Sequence, residues 1–196
     1  MVNLGAGFDT LAYRLPALAD FQVWEVDQPV NIDAKRSGLE KVLGEVPAHV
    51  TLVSIDFDNE DLAAALASHA YAFDKKTFFV LEAVTQYLTE AGIEETFGFL
   101  SKAPAGSRLA FTYIREDFIN GTVLHGGEVM YKRMVLKDKC WIFGIDPEGM
   151  DDFLGGHGWR VLEHLGYDEL AEVYVKPTGR TLKALPYERV VYAEKL

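Results

Sequence analysis

Short, strongly apolar runs alternate with stretches of helical periodicity along this chain, and that alternation limits the possible folds more than any other feature. The runs cover residues 1–4, 22–26, 50–55, 77–81, 108–113, 159–165 and 189–193. Several are nearly continuous in apolar side chains, as strands covered on both faces must be. Residues 30–43, 62–69 and 90–102 carry the helical patterns between them. Such alternation joins neighbouring strands by crossovers and builds a mostly parallel sheet with helices on both faces. The expectation is a seven-stranded α/β fold of Rossmann-like type. The last two runs are separated by a short helix, residues 168–173, and a turn at Pro177-Thr178-Gly179. A late strand is therefore expected to run antiparallel at the edge.

No repeat, low-complexity tract or linker divides the chain, so residues 1–196 read as one domain. Residues 115–147 break the rhythm and are too long for a simple loop. They read as a helical insertion over the carboxyl edge of the sheet, where ligands of open α/β sheets bind.

Composition removes several function classes. The net charge is −11. Nucleic-acid binders usually carry a basic face, and the one compact basic cluster, Lys132, Arg133, Lys137 and Lys139, reads as a solvated helix face. A small-molecule or peptide partner is favoured over DNA or RNA. No apolar run reaches the ~20 residues of a membrane span, and no secretion signal stands at the N-terminus. Cys140 is the only cysteine, so no intrachain disulfide forms, and a cytoplasmic location is expected.

The chemistry-bearing residues fall at strand ends. Gly5-Ala6-Gly7 follows the first strand, where glycines let backbone approach a ligand and a following helix offers free N–H groups. Asp27 ends the second strand, twenty residues beyond Gly7. That is where nucleotide-binding folds place a carboxylate to accept from ribose hydroxyls. A helix N-cap before Pro29 is its structural alternative. Thr10 stands where a nicotinamide fingerprint needs a third small residue, which tilts the reading from NAD toward S-adenosylmethionine. Asp56 and Phe57 close the third strand, a pairing suited to an adenine amino group and ring; helix capping also accounts for Asp56. Glu82 follows the fourth strand and suits a ligand amino group, or a solvent-facing cap.

These segments together resemble the leucine carboxyl methyltransferase family, which includes bacterial O-methyltransferases related to polyketide-tailoring enzymes. Val2-Asn3-Leu4-Gly5-Ala6-Gly7-Phe8-Asp9-Thr10 with Ala12-Tyr13-Arg14-Leu15 is similar to its first motif. Trp24-Glu25-Val26-Asp27-Gln28-Pro29 resembles the second. Glu82-Ala83-Val84-Thr85-Gln86-Tyr87-Leu88 and Pro104-Ala105-Gly106-Ser107-Arg108-Leu109 resemble the fourth-strand region, and Phe143-Gly144-Ile145-Asp146-Pro147-Glu148-Gly149 a later segment. The resemblance implies a class I methyltransferase fold. It also implies Gly5 and Gly7 against S-adenosylmethionine, Asp27 on the ribose, Asp56 and Phe57 at adenine, and Glu82 on the methionine amino group. Tyr87 would border the methyl-transfer pocket, although an aromatic early in a helix equally suits a core.

Family members carry a helical cap before the first motif, and this sequence starts at Met1 within the first strand. The resemblance then implies an open site, weak methyl transfer, and either a homo-oligomer or an unordered segment 115–140. The reaction it implies is direct displacement of the methyl group by a carboxylate oxygen of a small molecule or a protein C-terminus. A carboxylate with a pKa of about 4 is already ionised and needs no general base. Of the histidines weighed, His125 is the one considered as a base, and His49, His69 and His157 read as structural. No cluster has metal-ligand spacing, and Asp56, Asp58 and Asp61 read as a capping run. Two rivals stand beside this reading: a nicotinamide-dependent oxidoreductase, and a cofactor-binding protein without catalysis.

Overall fold

The computed structural model describes residues 1–57 and 59–196. All seven expected runs form strands: β1 (Val2–Leu4), β2 (Val23–Asp27), β3 (Val50–Ser54), β4 (Phe78–Leu81), β5 (Arg108–Ile114), β6 (Trp159–Leu165) and β7 (Glu188–Lys195). They join one sheet in the order β3-β2-β1-β4-β5-β7-β6. The pairings from β3 through β5 are parallel, whereas β7 runs antiparallel to both β5 and β6. The reversed strand therefore lies one place in from the margin, and β6 takes the edge. Val191 and Ala193 of β7 are fully buried in the larger core on one face of the sheet.

The helices are α1 (Leu11–Arg14), α2 (Pro29–Leu43), α3 (Leu62–Ser68), α4 (Glu90–Leu100), α5 (Glu116–Ile119), α6 (Glu128–Met130), α7 (Met150–Gly156) and α8 (Tyr167–Leu170). Strand parity sorts them onto two faces. Val23, Val50 and Leu52 pack with Ala12 of α1 and Ile32 of α2. The alternate residues Val26 and Val53 join Leu66 of α3, Phe97 of α4 and Leu154 of α7 in the larger core. Among the described residues no helix is long and apolar enough to cross a membrane.

β1 has only three residues, yet it pairs with β2 on one side and β4 on the other. The chain leaves toward β2 and β3 in one direction and toward β4 and β5 in the other. β1 thus flanks the point where strand order reverses, and a crevice opens there at the carboxyl ends.

The segment after β5 is folded around a small core of its own, so it does not remain unordered. Ile114, Phe118, Trp141 and Tyr187 are its buried residues, with Phe118 stacked on Tyr187 at 4.2 Å between ring centroids. Glycine at 127 is required here, because a Cβ would lie 2.4 Å from the Tyr187 ring. A wide π-helical turn, Tyr131–Lys137, follows α6. Lys132, Arg133, Lys137 and Lys139 are exposed, as a solvated face requires. The segment returns to the sheet edge through a bridge from Arg115 to Ile145 and a bond from Ile142 N–H to the Gln86 carbonyl at 2.8 Å.

Candidate functional site

The glycine turn folds over the end of β2. Gly5 and Ala6 both donate N–H to the Val26 carbonyl, at 2.8 and 3.0 Å. Gly5 has φ +69°, and a Cβ there would stand 2.3 Å from Val84 Cγ2. Backbone conformation and close approach of the post-β4 loop together demand glycine. Gly7 has φ +41°, and its Cβ would meet only Asp27 Oδ2 and the Gly5 carbonyl, both at 4.0 Å. The helix that follows is a single turn. Its Leu11 N–H is taken by Asp9 Oδ1 at 2.9 Å, and Asn3 Nδ2 donates to Asp9 Oδ2 at 2.8 Å. The expected free N–H groups of a helix N-terminus are thus replaced by the turn's own backbone.

Asp27 is 6% exposed. Its Oδ2 accepts the Gly7 N–H at 2.6 Å, and its Oδ1 accepts the Gln28 N–H and Asn31 Nδ2, each at 2.7 Å. It therefore organises the start of α2 and the glycine turn together. A carboxylate has about four acceptor positions, so roughly one is left for a ligand.

Gly5, Gly7, Asp27, Gln28, Asn31, Phe57, Ala83, Val84, Tyr87 and Leu88 line a cleft of about 310 Å³. Asp27, Gln28 and Asn31 give the lining its polar groups, and Phe57, Val84 and Leu88 give it apolar ones. A second cleft of about 440 Å³ shares Gly5, Gly7 and Ala83 and adds Asn3, Asp9, Arg14 and Glu82. The structure thus brings Gly5, Gly7, Asp27, Phe57 and Tyr87 together and sets Glu82 next door. Asp56 lies beside Phe57 but outside the cleft lining. Its Oδ2 accepts from Asn59 Nδ2 at 2.8 Å, and its N–H goes to Glu60 Oε2 at 2.7 Å. Asp61 caps α3 by accepting the Ala64 N–H, and Asp58 lies outside the described residues.

Ala83 takes the left-handed conformation at φ +56°, which costs a non-glycine residue about 1–2 kcal/mol. Its N–H donates to Thr112 Oγ1 at 2.8 Å, and Thr85 Oγ1 donates to the Thr112 carbonyl at 3.1 Å. These bonds to β5 hold the strained bend that places residues 82–88 around both clefts. Tyr87 meets Trp141 edge-on at 6.4 Å between centroids, so the segment after β5 borders the first cleft. Gln86 Oε1 and Trp141 Nε1 are buried there with no hydrogen-bond partner among the described residues. His125 Nε2 lies 3.0 Å from Asp117 Oδ1, and Arg115 pairs with the same carboxylate. His125 is outside the lining of both clefts.

A buried charge network supports the glycine turn from below. Lys35 Nζ pairs with Glu25 Oε2 at 2.8 Å, with side chains 4% and 0% exposed. It also donates to the Ala6 carbonyl at 3.3 Å, and Tyr13 donates its hydroxyl to Glu25 Oε2 at 2.5 Å. Burial pushes the Glu25 carboxyl above the usual range, against the pull of Lys35 and Tyr13. Sequence reasoning missed Lys35, Ala83, Asn31 and Arg14. Only Asn31, one helical turn beyond Asp27, carried a spacing that could have revealed it.

The leucine carboxyl methyltransferase family model matches residues 1–101, just over half of the chain. The chain belongs to the leucine carboxyl methyltransferase family. A relative from Mycolicibacterium smegmatis, named as an S-adenosyl-L-methionine-dependent methyltransferase, is 32% identical over 167 residues, covering 82% of this chain and 54% of the relative. Another so named, YktD of Bacillus subtilis, is 27% identical over 197 residues, 99% of this chain and 64% of its own length. This family member therefore spans between half and two thirds of those relatives. Among solved structures, the mitomycin 7-O-methyltransferase MmcR superposes with a TM-score of 0.64 at 14% identity, over 100% of this chain and 48% of that one. Magnesium protoporphyrin IX methyltransferase from Synechocystis, solved with bound S-adenosylhomocysteine, gives 0.60 at 15% identity, over 100% and 73%. The fold is that of the Rossmann-like class I methyltransferases.

Proposed function

We propose that this chain binds S-adenosylmethionine across the two clefts and methylates a carboxylate oxygen of a small molecule or a protein C-terminus. The observation that carries the reading is Asp27. It is a nearly buried carboxylate that fastens the glycine turn and keeps about one acceptor position for the cleft. The residues fit a nucleoside: a Cβ on Gly7 would stand in the space beside Asp27 Oδ2, and Phe57 adds an apolar surface to a lining that also carries polar groups.

In this reading Gly5 and Gly7 let backbone lie against the ligand, and Asp27 accepts from a ribose hydroxyl. Phe57 covers the adenine ring, and the neighbouring Asp56 takes the adenine amino group. Glu82 takes the amino group of the methionine end. When bound, S-adenosylmethionine supplies a methyl group activated by its sulfonium. Tyr87 and the neighbouring Trp141 border the place where an acceptor would meet that methyl group, aligning it and limiting water. The family's name and the absence of any need for a base favour a carboxylate acceptor. Family membership also argues against the nicotinamide reading.

The test is transfer of labelled methyl from S-adenosylmethionine to a panel of carboxylic acids and C-terminal peptides. A methyl ester releases labelled methanol in mild base, whereas an ether does not. Base-labile label supports a carboxylate acceptor. Base-stable label would overturn the acceptor while keeping the methyl transfer, and no transfer to any acceptor would count against catalysis by this chain.

A further inference from the structure

A separate cavity opens toward the other end of the sheet. Its volume is about 110 Å³, and Ala63, Tyr71, Phe73, Phe79, Phe99 and Lys102 are among its lining. Phe79 pairs with Val2, the first residue of β1, whereas the clefts lie past the last. Four aromatic rings form its walls edge to face. Tyr71 meets Phe73 at 4.9 Å between centroids, Phe73 meets Phe99 at 6.4 Å, and Phe99 meets Phe79 at 6.1 Å, all near perpendicular. Tyr71, Phe79 and Phe99 are buried, yet Phe73 stands 41% exposed beside the empty space instead of filling it. Cores normally close such voids by packing. The lining side chains hold one unspent polar group. The Tyr71 hydroxyl is bonded to Thr77 Oγ1 at 2.8 Å. Lys102 is exposed in the turn after α4, and among the described residues its ammonium has no ion pair or hydrogen bond.

Size, shape and charge together define the occupant. A dry cavity of about 150 Å³ takes a benzene, so this smaller one holds no more than one ring. Edges and faces of aromatic side chains suit another aromatic ring. Aromatic cages also attract cations, but a lysine ammonium in the lining repels one. We propose that this cavity is a second binding site, for a single aromatic ring bearing an anionic group. The ring sits among Tyr71, Phe73, Phe79 and Phe99, and the anion pairs with the Lys102 ammonium at the surface. The cavity shares no lining residue with the two clefts at the glycine turn, so the site does not depend on the cofactor reading.

Calorimetric titration with benzenesulfonate tests the site. A sulfonate carries the ring and the charge without a carboxylate that the proposed methyl transfer could use. Phenyltrimethylammonium is the cation of similar shape. The expected result is saturable binding of benzenesulfonate, tighter than that of the cation. Ala63→Leu fills the space and should weaken benzenesulfonate at least tenfold, with a thermal melt to show that the variant is folded. Lys102→Gln changes an exposed side chain and should weaken it about two- to fivefold, the range of a solvent-exposed ion pair, and should erase the preference for the anion. This second variant carries the test if Ala63→Leu does not fold. No saturable binding of benzenesulfonate by the unmodified protein would overturn the site, as would binding that a folded Ala63→Leu leaves unchanged. Equal or tighter binding of the cation, or an anion preference that survives Lys102→Gln, would overturn the assigned ligand class.

Discussion

The Gly7 N–H donates to Asp27 Oδ2 at 2.6 Å, joining the turn after β1 to the end of β2 across twenty residues of sequence. One carboxylate thus shapes the loop and faces the cleft that the loop borders. With three donors already on Asp27, a ligand gains about one bond from it, not the two that a free ribose-binding carboxylate would offer. A charge-assisted bond contributes about 1.5–3 kcal/mol. Asp27→Ala should therefore weaken S-adenosylhomocysteine binding roughly 10–100-fold. Calorimetry checks this, and an unchanged affinity would reduce Asp27 to a structural tie.

Gly5 and Gly7 should respond differently to alanine. At Gly5 the new methyl would stand 2.3 Å from Val84 Cγ2 at a positive φ. Overpacking and backbone strain together cost roughly 2–5 kcal/mol. At Gly7 nothing lies closer than 4.0 Å, so the cost is about 1–2 kcal/mol, but the methyl intrudes on the cleft. Gly5→Ala is expected to lose more stability in urea unfolding, and Gly7→Ala to lose less stability but more ligand affinity. The reverse pattern would contradict the geometry.

Lys35→Met leaves Glu25, fully buried, without its ion partner. Breaking a buried pair from one side costs about 3–5 kcal/mol. Removing both charges, as Lys35→Met with Glu25→Leu, should restore much of that stability while the Ala6 carbonyl still lacks its donor. Urea unfolding of the single and double variants measures the difference. Equal losses in both would mean that the charge pair is not the source.

His164, which carries no motif or spacing that singles it out, lies 2.7 Å from the Tyr113 hydroxyl and accepts from Arg189 Nε at 3.0 Å. Burial first, then the Arg189 charge, lowers its pKa below the usual 6.5, with Asp151 and Glu169 opposing. Below about pH 6.5 the unfolded chain binds a proton that the folded chain refuses, so stability rises with pH up to that point and this contribution then levels off. His164→Gln should flatten that part of the slope just below about pH 6.5 in thermal melts. An unchanged slope would mean that His164 titrates alike in both states.

The strands were legible because each is a compact apolar run, and Asp27 because it closes β2 at a fixed distance from the glycines. The place of β7 was not, since a reversed strand fits at the margin or one position inside it, and only its pairing with both β5 and β6 decides. Lys35 and Glu25 are ten residues apart in a sequence rich in both charges, and nothing local marks them as buried. Ala83 reads as an ordinary alanine, because its left-handed bend is imposed by Thr112 from another strand. Arg14 and Glu82 belong to different motifs and share a cleft only through the β1–β4 pairing.

Calorimetric titration with S-adenosylhomocysteine, with NADH run in parallel, tests the central claim most directly. The account predicts saturable binding of one S-adenosylhomocysteine per chain and no heat from NADH. No binding of S-adenosylhomocysteine to the folded protein at millimolar concentration, or binding of NADH in its place, would contradict it.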